Sequence, residues 1–132
     1  MWTIAQIYKL MAIASQLSGL PMVDDIPFVF EQPDKEIQHG FCAGAQNCVE
    51  VYAYTDAAHA EIHVSDSLND YSRNTILVHE LTHWLEYKAN VNQSNYCEDE
   101  HTAYQTETKY MLEYEHKINP EPAVFHCASW TM

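Results

Sequence analysis

The chain has 132 residues, of which 47% are hydrophobic and 12% aromatic. This is enough for one modest hydrophobic core and too little for two, so we expect a single folded domain over residues 1–132. Its 19 acidic and 6 basic residues give a formal net charge of −13, which argues against nucleic acid or an anionic membrane as a partner, because both need clustered lysines and arginines. The excess of acidic residues either keeps the protein soluble or forms an acidic cleft that attracts cationic substrates.

The N-terminal segment predicts an amphipathic helix that packs on the core. Residues 1–20 lack a basic leader, and polar residues interrupt the apolar ones, so the segment does not resemble a signal peptide. No apolar run approaches the ~20 residues that a membrane-spanning helix needs. The apolar residues that recur at helical spacing are Ile4, Ile7, Met11, Ala14 and Leu17.

Three short segments rich in β-branched and aromatic residues predict the strands of a small, mainly antiparallel sheet. They are Ile26–Glu31, Val49–Tyr54 and Ala60–Ser65. Residues 32–40 are polar and predict a loop. Residues 55–58 predict the turn that joins the second and third strands into a hairpin.

Two helices follow the strands and complete the expected α+β fold. Ser, Asp and Asn residues in the segment 66–72 favour a helix start, and the first of these helices is expected from Tyr71 to Ala89. The second is expected from Asp99 to Lys117, before two prolines end it. The apolar stripe that the first helix should bury consists of Leu77, Leu81, Trp84 and Leu85.

The chain contains four cysteines, which permit two disulfides with three possible connectivities. We expect Cys42–Cys48, which closes a short loop, and Cys97–Cys127, which ties the C-terminal segment to the last helix. A zinc site of four cysteines is the alternative, although neither pair has the short spacing of a zinc knuckle. Disulfides would place the protein in a secreted or periplasmic compartment, and without them we expect a cytoplasmic protein.

The segment His79-Glu80-Leu81-Thr82-His83 predicts a metal site. Histidines four residues apart on a helix lie on one face, one turn apart, where both imidazoles can bind the same cation. Glu80 is adjacent, and its carboxylate can reach a water molecule at that cation. The pattern His-Glu-x-x-His on a helix is a zinc signature in which the glutamate is the general base. The alternative is a pair of surface histidines.

A catalytic zinc site needs a third protein ligand and an open position for water. We choose Glu100, which lies 17 residues after His83, far enough for a helix end, a loop and a return. It also shares a helix face with the small Ala103, which would let the two helices approach closely. An acidic, solvated helix start is the alternative that involves no metal. The other candidates for the third ligand are Glu98, Asp99, His101 and Glu107.

These motifs resemble the gluzincin (thermolysin-like) metallopeptidases and, more narrowly, the small one-domain zincin-like metallopeptidases. The resemblance covers about residues 60–110 and rests on the segment from His79 to His83 followed by Glu100 and Ala103. It implies a minimal zincin-like domain in which the two histidines and Glu100 bind zinc. It also implies that Glu80 is the general base.

The resemblance has further implications, and in two places the sequence departs from the family pattern. The strand Ala60–Ser65 would be an edge strand that pairs with an extended peptide. The family carboxylate that orients a ligand histidine is replaced by Tyr104, so that Glu107 or a backbone carbonyl would take this role. No residue matches the family's transition-state electrophile, for which the candidates are Tyr110, Tyr114 and His126.

The predicted function is therefore zinc-dependent hydrolysis of peptide or amide bonds in a peptide or protein substrate, with Glu80 as the base. One alternative is another zinc amide hydrolase that acts on cell-wall peptides. A second is a non-catalytic interaction module that binds zinc for stability. Glu80 favours catalysis, because a purely structural zinc site does not need a base.

Overall fold

A computed structural model describes residues 1–42, 51–91 and 96–115. None of the helices in these segments is long and apolar enough to cross a membrane. The described elements, in chain order, are the helix α1 (Ile4–Ser18), the strand β1 (Phe28–Gln32), the helix α2 (Asp34–Cys42), the strands β2 (Ala53–Asp56) and β3 (Glu61–Ser65), and the helices α3 (Asp70–Lys88) and α4 (Tyr96–Glu113).

The three strands form a mixed sheet in the order β1-β3-β2, within an α+β fold. The predicted hairpin is confirmed, since β2 pairs with β3 in antiparallel register from Ala53–Val64 to Asp56–Glu61. The prediction of a mainly antiparallel sheet is wrong for the other pairing, because β1 runs parallel to β3. A parallel pair needs a long crossover connection, and α2 forms part of it where a loop was predicted for residues 32–40.

The position of β3 overturns one implication of the sequence. The segment Ala60–Ser65 was expected at an edge, but β3 lies between its two neighbours, and among the described strands β2 is at an edge. The predicted turn at residues 55–58 also begins too early, because Thr55 and Asp56 belong to β2 and a 3₁₀ turn follows at Ala57–His59. Residue alternation identifies a strand but not its neighbours, and so it left the order of the strands undetermined.

Helix α1 lies against α3 and α4 and is held at both ends. Thr3 and Gln6 form a capping box at its start, and Gly19 ends it with a φ of +81°, which glycine adopts without steric cost. Most of the predicted apolar face is buried, but Ile4 is 73% exposed because it is the first helical residue.

Helix α3 is the central element, packed against α1, α4 and the sheet. Asn69 caps it by accepting a hydrogen bond from the backbone N–H of Ser72. Its predicted stripe is confirmed, since Leu77, Leu81, Trp84 and Leu85 are all buried. Helix α4 crosses it with Ala103 fully buried. Helix α4 begins at Tyr96, three residues before the predicted start.

Several predictions concern residues outside the described segments. Cys48 and Cys127 lie there, as does the side chain of Cys97, so both disulfides remain predictions. The C-terminal segment with His126 is also outside, as are the side chains of Glu98 and Asp99.

Candidate metal centre

The structure brings together His79, His83 and Glu100, the three residues chosen from the sequence as ligands. One ligand atom from each lies within 4.8 Å of the other two, so the group could hold a metal ion. His79 Nε2 is 3.5 Å from Glu100 Oε1, and the same oxygen contacts His83 Nε2. The histidines lie one turn apart on α3, and Glu100 approaches from the second turn of α4.

The donor atoms suit a cation that accepts nitrogen and oxygen ligands. Both imidazoles turn their Nε2 atoms toward the Glu100 carboxylate, as a shared ion between them would require. His79 and Glu100 are buried and His83 is nearly so, which restrains the three side chains in this arrangement. The three residues line a cavity of about 420 Å³, so a small molecule can reach the centre.

Each histidine also contacts a carboxylate with its other ring nitrogen. His79 Nδ1 donates a hydrogen bond of 2.8 Å to Glu107, and His83 Nδ1 lies 3.2 Å from Glu86 Oε1. Such outer partners fix the ring orientation and the tautomer of ligand histidines. Glu107 was one of the two substitutes predicted for the family carboxylate. Glu86 was missed, although its position three residues after His83 on the same helix would have indicated it.

The alternative third ligands are placed differently. Glu107 is engaged with the outer nitrogen of His79 rather than with the inner one. His101 is exposed to solvent at the surface of α4. Tyr104 packs its ring edge-on against the His79 ring at a centroid distance of 4.6 Å. It therefore restrains the imidazole by packing instead of by a carboxylate contact.

Without a metal, the three residues form a tightly coupled charge cluster. Burial lowers the pKa of His79, but hydrogen bonds to Glu100 and Glu107 outweigh it and raise that pKa to about 10. Burial likewise opposes protonation of His83, and hydrogen bonds to Glu100 and Glu86 raise its pKa to about 9. For Glu100, burial raises the pKa, but hydrogen bonds from the two histidines lower it to about 2.

Metal binding must therefore compete with protons at this site. A cation binds imidazole only in its neutral form, so a metal displaces the protons that the carboxylates help to hold on His79 and His83. Metal affinity consequently rises with pH, and affinities of variants are comparable only at one pH.

Glu80 lies beside the cluster without being one of its three converging ligands. Its side chain is buried, and Oε2 is 3.9 Å from His79 Nε2. The hydroxyl of Thr55 on β2 is 2.9 Å from Glu80 Oε1 and 3.0 Å from the Glu80 backbone carbonyl. The role of Thr55 could not be predicted from the sequence, because a contact between residues 25 positions apart depends on how β2 packs against α3.

The two described candidates for the electrophile lie away from the cavity. Tyr110 is buried in the hydrophobic core and stacks on Tyr114 at a centroid distance of 5.4 Å. Neither is among the described residues that line the cavity, whereas Tyr104 is. Burial, followed by the charges of Glu100, Glu107 and Glu80, raises the pKa of Tyr104 to about 12, so its hydroxyl stays protonated at neutral pH.

Comparisons with known proteins assign no family to this chain. No protein-family model matches the sequence, and neither a curated protein nor a solved structure resembles it significantly.

Proposed function

We propose that this protein is a zinc-dependent hydrolase of peptide bonds, with His79, His83 and Glu100 as metal ligands and Glu80 as general base. One observation carries the proposal: a buried carboxylate that is not part of the ligand group lies 3.9 Å from a ligand nitrogen, beside a cavity. A site that only stabilised the fold would not need this carboxylate.

Zinc is the metal that we propose, because His-Glu-x-x-His on a helix is a zinc signature. Two imidazole nitrogens and one carboxylate oxygen form one of the usual three-ligand sets of catalytic zinc sites, in which a fourth position stays open. When bound, zinc supplies a Lewis acid that lowers the pKa of a water molecule to about 7 and polarises a carbonyl oxygen. The carboxylate partners of both histidines support this assignment, because they orient imidazoles for a metal.

The protein's own residues handle the proton. Glu80 accepts a proton from the attacking water and then donates it to the leaving amine. The Thr55 hydroxyl, 2.9 Å from Glu80 Oε1, holds the carboxylate in position for both transfers. Tyr104 lines the cavity and packs against His79, and we assign to it the hydrogen bond to the negative charge that develops on the carbonyl oxygen.

The edge of β2 offers a binding surface for the substrate backbone. Residues 51–55 line the cavity, and within the described segments β2 pairs with β3 on one side alone. An extended peptide can add to such an edge through backbone hydrogen bonds. In the gluzincin-like arrangement that we propose, β2 thus takes the role that the sequence had assigned to Ala60–Ser65.

Two other functions remain to be distinguished from this proposal. A hydrolase of cell-wall peptides would use the same residues on a different amide substrate. A zinc-binding interaction module would use the ligands alone and leave Glu80 without a role.

The zinc-loaded protein should be incubated with a mixture of linear peptides and, separately, with cell-wall peptides, and the products identified by mass spectrometry. New termini in the linear peptides, absent after chelator treatment, support the peptidase; cleavage restricted to cell-wall peptides or found in neither sample contradicts it.

The role of Thr55 gives a separate prediction. Thr55→Val removes the hydroxyl while keeping the shape of the side chain, so the Glu80 carboxylate loses a donor. We expect kcat to fall roughly tenfold, as for the loss of one hydrogen bond to a charged group, while the zinc content stays at the wild-type level. Thr55→Ser retains the hydroxyl and serves as the control. Equal kcat values for the valine and serine variants would rule out this positioning role.

A further inference from the structure

The cavity that contains the metal centre has an unbalanced charge. Among the described residues, four carboxylates line it, those of Glu80, Glu86, Glu100 and Glu107. A divalent ion bound by neutral imidazoles offsets two of these negative charges and leaves two. No lysine or arginine is among the described residues that line the cavity.

The basic residues with contacts in the described segments are engaged elsewhere. Arg73 pairs with Glu31 and lies over the Trp2 ring, and Lys88 pairs with Asp25 at 2.9 Å. Lys35 lines a separate hollow beside α2. None of the described lysines and arginines thus supplies a cation to the cavity, and a positively charged group of the substrate would offset the negative charge of its described carboxylates.

Aromatic side chains form much of the cavity wall and suit the same kind of ligand. The rim carries Tyr52 and Tyr87, which are 49% and 42% exposed. Tyr54 also lines the wall, but its ring is stacked on His63 at a centroid distance of 4.6 Å and tilted against Phe41 at 5.8 Å, so we assign the contact with a cation to the rim tyrosines. An ammonium or guanidinium group is attracted to aromatic faces, and more strongly where water is partly excluded.

We propose that the cavity selects peptides that carry a lysine or arginine next to the scissile bond. This inference rests on the proposed peptidase function and adds the substrate class to it. A cleft lined by one sign of charge concentrates the field and raises the local concentration of oppositely charged ligands. Acidic side chains at the same substrate position are repelled by the same carboxylates.

The test compares three peptides that differ at a single position beside the scissile bond. The position carries lysine, acetyl-lysine or glutamate. Acetyl-lysine is the neutral control, because acetylation keeps the aliphatic side chain and removes its charge. With the zinc-loaded full chain, we expect kcat/KM for lysine to exceed that for acetyl-lysine about tenfold at low salt, and the ratio to fall as salt is added. Glutamate should give the lowest value.

The outcomes separate the two proposals. Equal kcat/KM values for the three peptides, or the highest value for glutamate, overturn the selectivity and leave the peptidase function standing. Hydrolysis of none of them, on either side of the test position, overturns both.

A rim variant tests the electrostatic origin of the preference. Tyr52→Lys places a cation at the mouth of the cavity, and Tyr52→Gln is the neutral control that also removes the ring. We expect the ratio between the lysine and acetyl-lysine peptides to fall severalfold in Tyr52→Lys relative to Tyr52→Gln. The same ratio in both variants would contradict an electrostatic preference. Because the readout is a ratio of two substrates, a general loss of activity does not imitate the effect.

Discussion

Replacing Glu80 with glutamine should lower kcat by about 10²–10⁴-fold, the range expected when a general base is removed. The amide has nearly the same shape as the carboxylate but cannot accept a proton from water. The three ligand atoms are untouched, so the variant should still bind one zinc ion per chain. The measurements are kcat on a peptide substrate and zinc content by metal analysis, with both proteins prepared at the same pH.

The zinc content separates a lost base from a lost metal centre. A glutamine variant that keeps its zinc and loses hydrolysis has lost the base. Full activity in that variant would show that Glu80 does not transfer the proton, and the mechanism proposed here would then be wrong. Thr55→Val provides the matched comparison, because it disturbs the same carboxylate more weakly.

Replacing Glu100 with alanine should weaken zinc binding by more than the 10–100-fold that typically follows loss of an outer partner of a ligand. Glu100 Oε1 approaches the Nε2 atoms of both histidines, so its removal deletes the only oxygen of the proposed ligand set. The affinity should be measured by chelator competition at one pH, because protons compete for both imidazoles.

Glu98→Ala is the control for this prediction, since it removes a neighbouring carboxylate from the same helix end. Two residues before Glu100, position 98 lies about 200° around the helix, on the opposite side from the ligand. We therefore expect near wild-type zinc affinity in the Glu98 variant. An unchanged affinity in Glu100→Ala, or a larger loss in Glu98→Ala, would remove Glu100 from the ligand set and with it the gluzincin-like proposal.

The grouping of His79, His83 and Glu100 follows from helical periodicity, which the sequence alone contains. His79 and His83 share a face because they are four residues apart, and the buried stripe of α3 fixes which way that face points. The spacing between Glu100 and Ala103 similarly predicted the face of α4 that meets α3. Local pattern was sufficient here because residues three or four positions apart lie on the same side of a helix, whatever that side packs against.

Other features depend on tertiary contacts that no local pattern contains. Helix α2 was predicted as a loop because its sequence is mostly polar, and Ile37 is its one buried residue. Strand β3 is central because β1 pairs with it on the side opposite β2. The alternation of residues along a strand does not specify which strands pair with it. Thr55 reaches Glu80 across the interface between β2 and α3, and so it could be identified only from the fold.

The central claim is tested most directly by titrating metal-free protein with zinc while measuring peptide hydrolysis. The account predicts no hydrolysis without metal, a linear rise as zinc is added and a break at one zinc ion per chain, because one set of three ligands serves one catalytic centre. The Glu80→Gln variant, titrated in parallel, should also bind one zinc ion per chain but should show no hydrolysis at any ratio of zinc to protein. Hydrolysis by the metal-free protein, or none at any ratio of zinc to protein, would contradict the account.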